Sequence, residues 1–305
     1  MDISILIPVY NWDIASLLNK VFQEIEYGSL CSRVEVIVID DCSTDENIYP
    51  YNALFISENL KSNIIYERLE RNAGRSAIRN LLASRASGDF LLFLDCDVVP
   101  DEADFIGKYL LLAEDNSFDV VCGGISYRAR IMNGAEYDFH ACLGNRKEVK
   151  PAAERERTPW RHILTSNIMV RKSVFQEIPF DERFTGYGYE DIEWGLRLAE
   201  KFRILHIDNT ASHLGLVTKT KAYEKMQNSV ANYLLLREIC PEAFAASAIS
   251  KAVALFAWFS VAVLNFLDRA IKRRFFSDSS GNRLDFVLFQ LNFAVLLALA
   301  IKKAR

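Results

Sequence analysis

An acidic pair marks the stretch of this sequence that is best suited to chemistry. The run from 181 to 198, DERFTGYGYEDIEWGLRL, places Glu190 and Asp191 after an aromatic loop containing glycines and at the start of a predicted helix. The positive end of a helix dipole favours an ionised carboxylate, so Asp191 is a candidate general base for a bound hydroxyl group. An acidic helix cap is the plainer interpretation of the same pair.

A second acidic motif, Asp95-Cys96-Asp97, follows the apolar run FLLFL. Residues two apart in an extended chain point to the same side, and carboxylate oxygens are ligands that suit magnesium or manganese. A divalent ion held here would neutralise the charge of a phosphorylated leaving group. The alternative is a solvated turn at a strand end, because an Asp-x-Asp triplet also occurs by chance.

The elements that must position these acids alternate between strand-like and helix-like segments. Helices are predicted from Ile14 to Tyr27 and from Ser76 to Ala86, between the strand-like runs ISILIPVY, VEVIVID, Ile64 to Tyr66 and FLLFLD. Strands that are continuously apolar are buried on both faces, which predicts an α/β fold with a mostly parallel central sheet flanked by helices. Ligands of such sheets gather at the carboxyl ends of the strands. Polar residues follow three of these runs and predict one cleft: Asn11, Asp40, Asp41, Asp95 and Asp97.

Composition and motifs exclude several classes of protein. The chain has 305 residues, half of them apolar, and a formal charge of −4, which predicts a well-buried core and argues against a nucleic-acid partner. The six cysteines form no Cys-x-x-Cys pair, so we expect neither disulfides nor zinc, and a reducing compartment. No Gly-x-Gly-x-x-Gly follows the first strand and no Walker lysine loop is present, which disfavours dinucleotide and P-loop enzymes. The start, MDISILIPVYN, has no basic leader, so we expect a cytoplasmic catalytic part.

Six motifs together resemble a family 2 glycosyltransferase of the GT-A fold: SILIPVYN, VIVIDDCSTD, NAGRSAIRN, FLLFLDCDVV, TSNIMVRKSVF and FDERFTGYGYEDIEWGLRL. The resemblance covers residues 3 to about 215. It implies transfer of a sugar, with inversion, from a nucleotide-diphosphate donor, with a UDP-sugar favoured. The acceptor would be a hydroxyl of a glycan or a lipid-linked glycan, Asp191 the base, and Mn²⁺ or Mg²⁺ the cofactor.

The resemblance also implies roles for individual residues. Donor-binding residues would be Pro8, Tyr10, Asn11, Asp40, Asp41, Asn72, Gly74, Arg79 and Asp95. Metal ligands would be Asp97, Asp95 and His213, although a histidine near a strand end is often structural. The acceptor would meet Trp160, Asn167, Glu190 and Trp194, and for Trp194 a packing role is the alternative.

The chain is predicted to have three parts. Residues 1–100 form the nucleotide-sugar-binding half of the GT-A domain, 101–220 the acceptor-binding and catalytic half, and 221–305 a helical C-terminal extension. The extension contains two apolar runs of 16 residues, 252–267 and 286–301, which is less than the 17 to 25 residues of a typical membrane span.

Basic residues flank both apolar runs: Arg269, Lys272, Arg273, Arg274, Lys302 and Lys303. We therefore expect helices lying at the inner face of the cell membrane with these cations near anionic head groups. The alternatives are a homodimer interface and a helical cap on the catalytic domain.

Two other functions remain open from the sequence. A catalytically inactive nucleotide-sugar-binding or scaffolding subunit would not need a base such as Asp191. A nucleotidyltransferase would need a glycine and arginine loop after the first strand, where this chain has PVYNWD.

Overall fold

The computed structural model describes residues 1–60, 63–115, 117–132, 134–241, 244, 247–277 and 283–303. These residues form two compact units. The first unit comprises 1–131, 148–185 and 190–215, and the second comprises 132–147, 186–189 and the chain from 216 onwards. Two segments of the predicted acceptor-side half, 132–147 and 186–189, thus pack within the second unit.

The first unit contains ten strands in two sheets. They are β1 (Ile3–Val9), β2 (Val34–Asp40), β3 (Ile64–Arg68), β4 (Phe90–Leu94), β5 (Val98–Pro100), β6 (Val120–Cys122), β7 (Ile125–Ser126), β8 (Asn167–Arg171), β9 (Ile204–His206) and β10 (Ala211–His213). The large sheet has the order β3-β2-β1-β4-β8-β6-β9, and the small sheet the order β5-β10-β7. Only β8 runs antiparallel to its neighbours in the large sheet as described. The predicted mostly parallel sheet is therefore confirmed.

Helices cover both faces of the large sheet. The helices of the first unit are α1 (Ala15–Tyr27), α2 (Ile48–Asn59), α3 (Arg75–Arg85), α4 (Phe105–Asp115), α6 (Ala152–Arg155), a 3-10 turn (Pro159–His162), α7 (Lys172–Glu177) and α8 (Glu190–Lys201). Alternate residues of a strand face opposite sides, so Ile5 and Ile7 join one buried cluster while Leu6 joins the other. This burial on both sides explains why the sheet strands are apolar throughout.

The second unit is helical. It contains α5 (Ala135–Lys147), α9 (Lys219–Asn228), α10 (Val230–Ile239), α11 (Ala248–Phe256), α12 (Val261–Phe275) and α13 (Arg283–Lys303). The predicted C-terminal helical extension is therefore confirmed as helical, and it recruits the earlier helix α5 to its core.

The second apolar run, 286–301, lies within α13. This helix of 21 residues contains an 18-residue apolar stretch with a mean hydropathy of 2.2, so it is long and apolar enough to cross a membrane, but half of that stretch is buried inside the structure. Its polar residues are also paired within the unit, since Lys219 Nζ lies 2.8 Å from Asp285 Oδ2 and Tyr223 donates a hydrogen bond to Asn292. Half of this apolar stretch is thus covered by the folded second unit, and the expectation that the run lies at a membrane surface stays a prediction.

Candidate active site

The two acidic motifs are linked through one buried arginine. Arg79 lies on α3, which begins after Gly74, and only 2% of its surface is exposed. Its Nη2 donates to Asp95 Oδ1 at 2.7 Å, and its Nη1 lies 3.6 Å from Glu190 Oε1. Asp95 and Glu190, which are 95 positions apart in the chain, thus both contact Arg79. Arg79 was predicted to approach the nucleotide, but here it holds the two motifs together.

Glu190 begins α8 and is almost completely buried. Its Oε1 lies 3.7 Å from Nη1 of Arg75 as well as near Arg79. Its other oxygen, Oε2, is buried and accepts no hydrogen bond from the residues that the structure describes. A buried carboxylate oxygen without a donor is costly, so this atom is suited to a donor that arrives with a ligand, such as a hydroxyl group.

Asp191 follows Glu190 in the first turn of α8, where its Oδ1 accepts a hydrogen bond from the Ile192 amide at 2.8 Å. Burial, and then the charge of Glu190, raise the pKa of Asp191 to about 7, although Arg79 and Arg75 oppose this. A carboxylate with such a pKa is divided between its two protonation states near neutral pH. It can therefore both accept and release a proton at that pH, as a general base must.

Asp97 lies in the turn between β4 and β5, close to His213 at the end of β10. The register of the small sheet places His213 opposite Val98, and its Nε2 lies 3.4 Å from Asp97 Oδ2. The Leu214 amide donates to the Asp97 carbonyl at 2.7 Å. The carboxylate of Asp97 has room beside Gly215 only because glycine lacks a side chain. A Cβ at residue 215 would lie 2.2 Å from Asp97 Oδ2. The sequence analysis did not identify Gly215, whose only signal is its position two residues after His213.

Asp97 and His213 have the right chemistry to bind a divalent metal, but they are an incomplete set of ligands. Asp97 offers carboxylate oxygen and His213 offers imidazole nitrogen, both of which manganese accepts. Asp95 directs Oδ1 to Arg79, and although burial raises its pKa, Arg79 and Arg75 lower it further, so the net pKa is below the ordinary value. No group of three His, Cys, Asp or Glu among the described residues is gathered closely enough to hold a metal. Further ligands would have to come from a bound donor.

The residues predicted around the nucleoside form a hydrogen-bonded loop at the ends of β1 and β2. Asp40 has no exposed surface, and its two oxygens accept hydrogen bonds from the Ser43 amide and hydroxyl. Asp41 accepts from the Ala73 and Gly74 amides, while Asn72 donates to the Asp41 carbonyl. The predicted contact of Asp40 with a base edge is therefore incompatible with this conformation, in which Asp40 shapes the loop.

Other donor-side residues are accessible. Tyr10 is half exposed and Pro8 partly so. Asn11 is exposed with a positive φ of 51°, and it donates to Thr44 Oγ1 while accepting from the Asp45 amide. Gly74 has a φ of 87°, a conformation that favours glycine. These positions leave the surface of the loop open to a ligand.

Two predicted acceptor residues lie in the core. Trp194 has no exposed surface, packs among Phe93, Phe175 and Phe180, and donates its Nε1 hydrogen to the Ile178 carbonyl. It therefore cannot be a sugar platform here, and the packing alternative is correct.

Asn167 is also fully buried. Its Oδ1 accepts from the Tyr109 hydroxyl, and its Nδ2 donates to the carbonyls of Gly124 and Asn209. The predicted acceptor contact is therefore wrong, because each of its side-chain polar atoms is used to join β8 to α4 and to the loops at Gly124 and Asn209. Trp160 remains partly exposed, with the Arg161 guanidinium 4.8 Å above its ring.

Comparisons with known proteins give the family and the fold of this chain. Residues 4–179 match the profile of Glycosyl transferase family 2. An uncharacterized glycosyltransferase, YfnE of Bacillus subtilis, is 27% identical over 65% of this chain and 60% of its own length. The poly(ribitol-phosphate) beta-N-acetylglucosaminyltransferase TarS of Staphylococcus aureus is 33% identical over 36% of this chain and 18% of its own. The chain thus spans less than two thirds of these curated relatives.

Solved structures share the fold. TarS residues 1–349 align over 100% of this chain and 92% of that one, with a TM-score of 0.53 at 19% identity. The mannosyltransferase PcManGT of Pyrobaculum calidifontis, in complex with GDP-Man and Mn²⁺, aligns over 99% and 86%, with a TM-score of 0.59 at 14% identity. The chain therefore shares the GT-A fold of these glycosyltransferases. With the matched profile covering more than half of its length, the chain belongs to glycosyl transferase family 2.

Proposed function

We propose that this protein is an inverting glycosyltransferase that moves a sugar from a nucleotide-diphosphate donor to a hydroxyl group of a glycan or lipid-linked glycan. A UDP-sugar is the favoured donor. The observation that carries the proposal is the chain of contacts from Asp95 through Arg79 to Glu190, which joins the Asp-x-Asp turn to the base Asp191. A scaffolding protein would not need to connect these two motifs.

The reaction would be a single displacement. Asp191, whose pKa is raised to about 7, accepts the proton of the acceptor hydroxyl while the oxygen of that hydroxyl attacks the anomeric carbon. The bond from that carbon to the diphosphate breaks on the opposite side, which inverts the configuration. Glu190 would accept a hydrogen bond from the acceptor through its buried Oε2, which fixes the attacking group close to Asp191.

Asp97 and His213 would hold the divalent metal, and a bound donor would supply its further ligands. Such a metal, when bound, neutralises negative charge on a departing nucleoside diphosphate. Arg75, which is partly exposed beside Glu190, places an additional positive charge in this region. The family gives the general precedent, and the Mn²⁺ in the PcManGT complex gives a specific one.

The choice of donor is supported by relatives rather than by this chain alone. TarS has been solved in complex with UDP and with UDP-GlcNAc, whereas PcManGT has been solved with GDP-Man. Tyr10 and Asn11 offer exposed side chains at the edge where a base would lie. We therefore propose a uridine nucleotide as the first donor to test.

The test is nucleoside diphosphate release from a panel of UDP- and GDP-sugars with Mn²⁺ or Mg²⁺, each repeated with a chelator. We expect metal-dependent turnover of one donor. Replacing Asp191 with Asn should lower turnover by about 10²–10⁴-fold, while donor affinity measured by calorimetry stays unchanged. The matched control is Glu200→Gln, an exposed position on the same helix.

Two results would contradict the proposal. Donor binding without turnover in the presence of metal and a range of glycan acceptors would favour a nucleotide-sugar-binding subunit. Equal turnover by the wild type and Asp191→Asn would show that another residue is the base.

A further inference from the structure

The first apolar run of the C-terminal region remains exposed in the folded second unit. Trp258, in the turn between α11 and α12, has 89% of its surface exposed, and Leu255 and Phe266 on either side of it exceed 60%. Phe259, Val261 and Val263 are also exposed to at least 37%. Six large apolar side chains within twelve residues are more than the scattered exposure that a soluble surface normally has.

The exposed side of α12 is apolar in its N-terminal half and basic in its C-terminal half. Ala262, Phe266, Arg269 and Arg273 are all exposed, and their spacing of four, three and four residues places them on one side of the helix. The half next to Trp258 is apolar, and the half near the C-terminal end of α12 is basic. Lys272 and Arg274 in the last turn are exposed as well.

We propose that this surface, formed by residues 255–274, docks the protein on an anionic lipid bilayer. Trp258 and Phe266 enter the boundary between head groups and acyl chains, and Arg269 and Arg273 meet lipid phosphates. Phe266 and Arg273 are separated by seven residues, or about 10 Å along a helix. An interfacial helix lies near the plane of the bilayer with its apolar side buried by about 5–10 Å. Because the apolar half of α12 is N-terminal and the basic half C-terminal, the helix would be tilted with its N-terminal end deeper.

Charge and shape favour lipid over a second copy of this chain. The protein as a whole carries a net charge of −4, yet the C-terminal half of the exposed side of α12 is basic, which suits an anionic surface. Ala257, next to Trp258, also lines a cleft of about 780 Å³, whose walls combine apolar residues such as Val253 with the charged residues Arg237 and Glu238. A flexible acyl chain can enter such a cleft more readily than a folded protein surface can.

The experiment uses the full chain and lipid vesicles, and it does not depend on the transfer reaction. We expect sedimentation with vesicles of phosphatidylcholine and phosphatidylglycerol at 0.15 M salt, and weak binding to phosphatidylcholine alone or at high salt. Replacing Arg269 and Arg273 with Ala should weaken binding about 30-fold, or about fivefold for each arginine. Trp258→Ala should weaken it about tenfold or more.

Matched controls test whether the loss of any exposed arginine or aromatic side chain weakens vesicle binding. Arg85→Ala with Arg128→Ala removes two exposed arginines from the first unit, and Tyr27→Ala removes an aromatic side chain that is 90% exposed there. These variants should bind vesicles like the wild type. Circular dichroism checks that each variant is folded.

Tryptophan fluorescence assigns the site of contact. Vesicles carrying brominated acyl chains should quench the wild type, and Trp258→Phe should remove that quenching while retaining most of the binding. The proposal is overturned if binding to vesicles is independent of anionic lipid, if Trp258 is not quenched, or if these variants only convert a dimer into a monomer in sedimentation equilibrium.

Discussion

Asp191 has the environment of a base that works near neutral pH. Its carboxylate must be ionised to accept a proton, and burial together with Glu190 raises its pKa to about 7. Catalysis should therefore fall about tenfold for each pH unit below 7 and level off above it. The measurement is kcat against pH at saturating donor and metal.

Replacing Glu190 with Gln should move that profile. The charge of Glu190 is the second cause of the raised pKa of Asp191, so its removal should lower the pKa and shift the acid side of the profile to lower pH. We also expect a lower maximal rate, because Glu190 would no longer balance Arg75 and Arg79. A profile that keeps its position would mean that another group controls the pH dependence, and Glu200→Gln serves as the control.

Gly215 tests the position of Asp97 without removing a charged group. In Gly215→Ala the new Cβ would lie 2.2 Å from Asp97 Oδ2, so the carboxylate must turn away from His213. A displacement of about 1 Å in an active site can cost about 10²-fold in rate. We expect a loss of this size in kcat/KM together with weaker Mn²⁺ dependence. Unchanged metal titration curves would remove Asp97 from the metal site, and thermal unfolding checks the fold.

The loop before α8 connects the two units through the chain itself. Tyr189 has a positive φ of 74° and packs against Tyr233 and Phe293, and Asn232 donates to the Gly188 carbonyl at 2.9 Å. The next residue is Glu190. Helices of the second unit thus hold the segment that leads directly into the acidic pair.

Removing the hydrogen bond from Asn232 to the Gly188 carbonyl should affect catalysis more than donor binding. Asn232→Ala should lower the free energy of unfolding by about 1 kcal/mol and reduce kcat about tenfold because the start of α8 is less well positioned. Asn228→Ala, an exposed position on α9, should change neither quantity. An equal loss in donor affinity and in kcat would indicate general destabilisation instead, and calorimetry with steady-state kinetics distinguishes the two.

Stability of the second unit depends on a buried ion pair. Lys219 and Asp285 are both less than 10% exposed and 2.8 Å apart. Lys219→Met would remove the Lys219 ammonium group from beside the buried carboxylate of Asp285, and breaking a buried ion pair in this way typically costs about 3–5 kcal/mol. The double variant Lys219→Met with Asp285→Leu should recover much of that loss, because it leaves no buried charge. Denaturant unfolding followed by circular dichroism measures both, and a double variant as unstable as the single one would contradict this account.

Several features of the whole molecule follow from the sequence alone. Runs such as VEVIVID and FLLFL are apolar at nearly every position, and a strand covered on both faces satisfies that pattern. The helix from Ala15 to Tyr27 begins within one residue of its predicted start, because its apolar residues recur at helical spacing. Chain connectivity then places the acids that follow these strands at one edge of a parallel sheet, so the positions of Asp95 and Asp97 in the chain are enough to identify them as candidates.

Tertiary contacts decided the rest, because side chains distant in sequence determine which polar groups stay accessible. Asn167 and Asp40 have residue types suited to ligand binding, yet hydrogen bonds from Tyr109 and Ser43 place them in the interior. The two apolar runs of the C-terminal region have the same length, but 286–301 packs as the centre of a helical unit and the part around Trp258 stays exposed. The local sequence determines how apolar a segment is. Which of its surfaces are buried depends on the other segments that pack against it.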